Sequence, residues 1–422
     1  MAPKTLASYH ETRACTIEGP RALFSSGLLQ VTYGARSAAA LTHPLLAPSV
    51  AGSGFQPESP AMQDLPVLRS LRATPVLVPL PVPLKTASGI IAQSPLVLVD
   101  LETTAGIVGH AYVFVYTPLA LAPVVQAIDA LAKELAGAVV APDALSQALT
   151  ARFRLLGTAG LLGMALAGIE MAAWDVVAKG AELPLWRLLG GAQRPVKAYA
   201  SFGLDGIEQG QRLAADAVAS GFRAVKFKLG YATLAQDLEV ARAIREAVGP
   251  VVELMVDYNQ SLSLPEAIRR CRALDGEGLA WIEEPTLQED YAGHARIAAE
   301  VATPIQIGEN WFGLSEMTKA LDAGASDLVM PDVMKIGGVT GWMRAAALAH
   351  AAGLSVSSHL WPEVSAQLLC CTPTAHWLEY VDWANPVLQE PLRIEKGCAL
   401  IPNRPGAGID WNEEAVGRYL VT

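Results

Sequence analysis

The sequence predicts an α/β protein made of a parallel (β/α)8-type barrel and a separate α+β module. Three observations lead there. At 422 residues the chain is too long for one ordinary domain and suits a barrel of about 250 residues plus a second domain. From Pro195 onward, short apolar runs alternate strictly with helix-length segments, as in a parallel sheet whose crossovers are helices. Before that point strands come first and helices second, the order of an α+β module.

In chain order, residues 1–61 are rich in Ala, Ser, Gly and Pro, keep no sustained period and end in a loop-like run from Ser49 to Pro60. Glu11 and Glu18 do not fit a secretory signal, so this stretch is expected to be a disordered leader, or sequence placed before a true start at Met62, with an organellar targeting role as the alternative. Residues 62–195 form the α+β module. Its strands are expected at Val76–Val78, Pro95–Leu101 and Gly109–Tyr116, and its helices at Leu119–Leu135, Asp143–Phe153 and Thr158–Lys179. Residues 196–387 form the barrel. Its strands are expected at Val196–Phe202, Ala224–Leu229, Val252–Tyr258, Leu279–Glu284, Pro304–Glu309, Asp327–Asp332, Leu354–His359 and His376–Val381. The tail, residues 388–422, has Gly and Pro punctuation without another βα unit and is expected to return to the first module.

Composition narrows the function classes. Hydrophobic residues make up 52% and charged residues 17%, enough for a large core. The net charge of −10 argues against a nucleic-acid or anionic-membrane surface. No uninterrupted apolar run reaches the roughly 20 residues of a membrane span; the apolar stretch from Gly160 to Leu189 is broken by Glu170, Asp175, Lys179 and Glu182. Five scattered cysteines, an odd number without zinc-ligand spacing, read as reduced thiols of a cytoplasmic protein.

The chemistry lies at the strand ends. Asp257, Glu283 and Glu309 close three successive barrel strands, so three carboxylates converge on one side of the barrel mouth, where barrel enzymes place their sites. Like charges that close repel unless a cation sits among them, and an all-oxygen ligand set suits Mg²⁺, with Mn²⁺ also suited. Lys226 and Lys228 share one face of the second strand, with Phe227 on the other. Each ammonium is expected to lower the other's pKa and leave one lysine available as a base near neutral pH.

His359 ends the seventh strand and Asp332 the sixth, close enough for the carboxylate to fix the imidazole tautomer and raise its basicity. Glu379 on the eighth strand faces the same mouth and, if protonated, can donate to a developing oxyanion. Together these groups describe removal and return of a proton on the carbon α to a carboxylate. Bases on opposite faces make inversion the natural outcome. The implied partner is a small carboxylate substrate.

The strings MVDYNQSL (255–262), WIEEPTLQ (281–288), GENW (308–311), MPDVMKIGGVTGW (330–342), SSHL (357–360) and TPTAHWLE (372–379) resemble the mandelate racemase/muconate lactonizing enzyme family of the enolase superfamily, and the similarity runs from about Leu65 to Val421. Sites of that superfamily set Lys or His bases beside Mg²⁺.

The resemblance implies a modified (β/α)7β TIM barrel capped by an α+β domain that combines the N-terminal part and the C-terminal tail. It also implies a homo-octamer or similar homo-oligomer. By position it makes Asp257, Glu283 and Glu309 the metal ligands, Lys228 the base toward the S enantiomer, and His359 with Asp332 the base toward the R enantiomer. Lys226 becomes the carboxylate partner, Glu379 the electrophilic acid, and Asn259 a contact near the substrate hydroxyl. Cap loops carrying Leu84, Ile91, Phe114 and Tyr116 are expected to shape the pocket, with Ser201 and Val381 as further substrate contacts.

Leu84-Lys85-Thr86, Ile91, Phe202, Tyr380 and Val381 depart from the family pattern in bulk or polarity, and Phe227 replaces a threonine between the lysines. These departures touch the pocket and leave the acid, base and metal groups intact. The expected activity is racemisation of mandelate or a close aryl or heteroaryl 2-hydroxy acid. The alternatives are a sugar-acid dehydratase using the same groups and a catalytically silent binding protein.

Overall fold

Three antiparallel strands begin the computed structural model, which describes residues 66–421; the expected leader, residues 1–61, lies outside the described residues. They are β1 (Leu68–Thr86), β2 (Gly89–Thr103) and β3 (Val108–Phe114), paired in that order. From Ser94 to Leu101 β2 is buried on both faces, which is why its apolar run does not alternate. β1 and β2 run on past the sheet as a hairpin that ends at the pair Thr86–Gly89, with a register shift between Pro79 and Leu84. Pro81 and Pro83 fall in that shift and offer no N–H to a ladder. These prolines hide the true length of β1, which the sequence places only at Val76–Val78.

Three helices follow: α1 (Leu121–Leu135), α2 (Pro142–Arg152) and α3 (Leu161–Gly180), with a short α4 (Leu185–Leu188) leading to the barrel. α1 turns Leu121, Val124, Ile128 and Leu131 inward at helical spacing. Among the described helices only α3 is long and apolar enough to cross a membrane, and 72% of its apolar window is buried within the protein. Its internal acids have partners. Glu170 accepts from the backbone N–H groups of Val339 and Thr340, while Asp175 accepts from those of His110 and Ala407.

The barrel strands are β4 (Val196–Ser201), β5 (Ala224–Lys228), β6 (Glu253–Asp257), β7 (Trp281–Glu283), β8 (Ile305–Ile307), β9 (Leu328–Val329), β10 (Ser355–Val356) and β11 (Leu378–Tyr380). Neighbours pair in parallel, and β11 returns to β4. The seam between β10 and β11 is held by the N–H groups of Val356 and Ser358, which donate to the carbonyls of Thr374 and Trp377.

Seven helices cover the ring: α5 (Gly206–Ala219), α6 (Leu234–Val248), α7 (Leu264–Leu274), α8 (Tyr291–Ala298), α9 (Leu314–Asp322), α10 (Gly338–Ala351) and α11 (Pro362–Cys371). A 3-10 turn follows β11 in place of an eighth helix. The barrel is therefore (β/α)7β, as the family resemblance implies, and not eight full βα units. Inside it Tyr199, Ala224, Met255, Trp281 and Trp377 pack into a floor beneath the mouth.

The tail differs from the expected simple return to the first module. Its hairpin, β12 (Ile394–Glu395) and β13 (Cys398–Ala399), pairs antiparallel with the start of β4. Only then does α12 (Glu413–Tyr419) reach β1, where the Val421 N–H donates to the Pro75 carbonyl. Two-residue strands leave no readable alternation in a sequence. Cys271, Cys370, Cys371 and Cys398 are free thiols.

Candidate active site

Strand register assembles the site. Lys228 on β5 lies beside Asp257 on β6, and Asp257 beside Glu283 on β7, so one row of the ladder carries a cation and two carboxylates. Two residues down each strand, Lys226, Met255 and Trp281 form the next inward-facing row. Glu309 lies two residues beyond β8, and a parallel bridge sets Asp332 next to His359 beyond β9 and β10.

All three expected metal ligands are buried, and one oxygen from each lies within 4.8 Å of the others. Two lysine ammoniums hold this cluster. Lys228 Nζ lies 2.5 Å from Asp257, and Lys226 Nζ lies 2.7 Å from Glu283 and 3.0 Å from Glu379. Burial pushes Glu283 well above the usual carboxylate range; Lys226 pulls it back, and Asp257 and Glu309 push it further up. Four carboxylates, Asp257, Glu283, Glu309 and Glu379, thus share two ammoniums, Lys226 and Lys228. The Asn259 carbonyl oxygen is also buried without a hydrogen-bond donor. Oxygen-only donors, excess negative charge and an unpaired amide oxygen together fit a hard divalent cation held by Asp257, Glu283 and Glu309.

In the lysine pair, mutual repulsion competes with burial and with the facing carboxylates. Lys226 does lower Lys228, and burial lowers it more, but Asp257 and Glu309 overcome both and hold its pKa above the ordinary lysine value. Lys226 is likewise raised: burial opposes its charge, and Glu283 and Glu379 outweigh that cost. Facing carboxylates thus decide the sign, a feature that strand spacing alone does not disclose. Glu379 can donate only if protonated. Burial raises its pKa, yet Lys226, His359 and the Leu360 N–H bring it below the usual carboxylate range.

His359 Nδ1 lies 2.6 Å from Asp332, and Nε2 lies 3.3 Å from Glu309. Burial lowers its pKa, but Glu309 and Asp332 raise it more, so the net shift is upward. Asp332 also accepts from the backbone N–H groups of Met334 and Lys335, which fixes its own rotamer. Strain collects at this rim. Tyr116, Asn259, Gln260, Glu284, Leu360 and Trp361 all have positive φ, and among described non-glycine residues only Glu182 and Lys396 do so elsewhere.

Above these groups lies a cavity of about 620 Å³. Of the residues expected at the site, Leu84, Ile91, Phe114, Tyr116, Ser201, Lys226, Lys228, Asn259, Glu309, His359, Glu379 and Val381 line it. Asp257, Glu283 and Asp332 stand immediately behind, in contact with Lys228, Lys226 and His359. Sequence reasoning missed Trp383, which closes the apolar wall beside Val381 and packs on Phe114. It also missed Glu284, Asn310 and Lys335. The adjacent acids Glu283-Glu284 and the Lys three residues after Asp332 are visible signals; Trp383 sits in a loop without one.

Residues 69–190 match the family model described as mandelate racemase/muconate lactonizing enzyme, N-terminal domain, and residues 210–415 match the enolase C-terminal domain-like model. A 3,6-anhydro-α-L-galactonate cycloisomerase of Streptomyces coelicolor is 33% identical over 354 residues, covering 82% of this chain and 97% of that one. An L-talarate/galactarate dehydratase of Salmonella typhimurium is 34% identical, covering 62% and 66%. The crystal structure of an enolase from Bradyrhizobium complexed with magnesium and mandelic acid is 44% identical, with a TM-score of 0.82, and covers 86% of this chain and 100% of that one.

Proposed function

The chain belongs to the mandelate racemase/muconate lactonizing enzyme family, and from that premise we propose that it is a Mg²⁺-dependent racemase of mandelate or a close aryl or heteroaryl 2-hydroxy acid. One observation carries the reading: Lys228 from the second barrel strand and His359 from beyond the seventh line the same cavity, beneath a wall of Leu84, Ile91, Phe114, Val381 and Trp383. The Bradyrhizobium enolase complexed with magnesium and mandelic acid supports both the cation and the ligand class.

Asp257, Glu283 and Glu309 would hold the cation. Mg²⁺, when bound, supplies positive charge against the negative charge that grows on the substrate carboxylate as the α-proton leaves. Lys226 grips that carboxylate, and Asn259 meets the 2-hydroxyl. Lys228 takes or returns the proton on the S side; the Lys226 ammonium lowers its pKa, while Asp257 and Glu309, which raise it, would be engaged by the cation. His359 does the same on the R side through Nε2, because Asp332 occupies Nδ1. Glu379 faces the developing enediolate. It becomes an acid only when protonated, and substrate drawing Lys226 away removes one of the charges that keep it ionised.

A second reading, dehydration of a sugar acid, draws on the Salmonella relative and on Thr86, Ser88, Gln93 and Gln260, which add polar groups to the same cavity. The separating experiment incubates each mandelate enantiomer and a panel of sugar acids with enzyme and Mg²⁺. Decay of optical rotation to zero without a keto acid product supports racemisation. Keto acid formation from a sugar acid, with mandelate inert, replaces it with dehydration.

A further inference from the structure

Lys335 lies in the segment between β9 and α10 and is only 7% exposed. Burying an ammonium costs several kcal/mol unless partners compensate. Among the described residues no carboxylate lies within ion-pair distance of it. Its Nζ instead donates to the Asn310 carbonyl oxygen at 2.7 Å and sits over the Tyr116 ring, 4.6 Å from the centroid. That choice fixes the Asn310 amide. With its oxygen taken by Lys335, its NH₂ turns to the acids, 2.9 Å from both oxygens of Glu284 and 3.2 Å from Glu309. The backbone of residue 335 joins the other half of the site, since its N–H donates to Asp332, the partner of His359.

We infer that Lys335 is a positioning residue that locks Asn310, and through it Glu309 and Glu284, into the arrangement the divalent cation needs, while its ammonium holds the Tyr116 wall of the substrate cavity. Cation affinity and substrate fit then share one buried side chain. The wall it steadies is a strained one: Tyr116 has φ of 59° and a buried hydroxyl without a partner. The inference rests on reading Asp257, Glu283 and Glu309 as the cation site, so the test measures that separately.

Mg²⁺ affinity is measured by calorimetry for the wild type, K335M, N310A and the double variant, with the melting temperature of each metal-free protein and kcat and KM on the best substrate. Second-layer ligand partners typically contribute about 10–100-fold in metal affinity. K335M and N310A are each expected to weaken Mg²⁺ by that amount at little change in melting temperature. The double variant should be no worse than the weaker single, because the two act as one unit. K335M alone should also raise KM through the loosened Tyr116. Unchanged Mg²⁺ affinity in N310A, or additive losses in the double variant, overturns the inference even if K335M fails to fold. A wild type that binds no Mg²⁺ overturns the cation site itself.

Discussion

The two rims of the substrate cavity are built by different means. On the barrel side Lys226, Lys228, Asp257, Glu283 and Glu309 stand on or just beyond short parallel strands, are almost wholly buried, and are tied to one another by hydrogen bonds and charge. On the cap side Leu84 and Ile91 ride a two-stranded hairpin beyond its sheet. The hairpin tip is exposed, and part of its seat on the barrel is one hydrogen bond from the Leu204 N–H to the Lys85 carbonyl. Rigid strand ends suit groups that must meet a reacting carbon within fractions of an ångström. A hairpin can change its side chains without disturbing them. Under the proposed function, reaction type belongs to the barrel rim, and substrate choice to the cap.

The largest effect that could break this division comes from Asp332→Asn. Loss of the carboxylate leaves His359 with the wrong tautomer and lower basicity, and proton exchange from the R substrate is expected to fall on the order of 10²–10⁴-fold, followed by NMR of the α-position. Exchange from the S substrate should fall far less. A smaller effect is expected from Leu84→Ser on the cap rim: roughly 10-fold in kcat/KM for mandelate, carried by KM, with kcat nearly unchanged. A steady-state assay that finds the loss in kcat instead would show that the cap takes part in the chemistry.

The smallest effect on activity, and one confined to stability, belongs to Glu170, which holds the first turn of α10 from α3. Burial raises its pKa to about 7 against hydrogen bonds from Thr340, Val339 and Trp174. A folded pKa above the unfolded one means that the folded state holds the extra proton. Its contribution is fully present below about pH 4.5 and is lost as pH rises through about 7. Denaturant melts should show stability declining over that window, on the order of 3 kcal/mol for this group, and Glu170→Gln should flatten the decline.

The barrel was legible because its signal is repetitive: eight apolar runs, each with a polar residue at or within two positions of its C-terminal end, survive errors of a residue or two at either end. Asp257, Glu283 and Glu309 were legible for the same reason. The pKa shifts of Lys228 and Glu379 were not, since they depend on which side chains face these groups across the mouth, at distances no one-dimensional spacing gives. Trp383 and the hairpin β12–β13 escaped because loops and two-residue strands carry no period. The long hairpin of β1 and β2 escaped because its prolines read as punctuation.

Everything proposed for the reaction depends on two independent bases facing one substrate carbon. The decisive experiment is α-deuteration of R- and S-mandelate separately in D₂O with Mg²⁺, using the His359→Asn variant. Exchange from the R enantiomer is expected to disappear while exchange from the S enantiomer, drawn by Lys228, continues without racemisation. Equal loss from both enantiomers would contradict two independent bases.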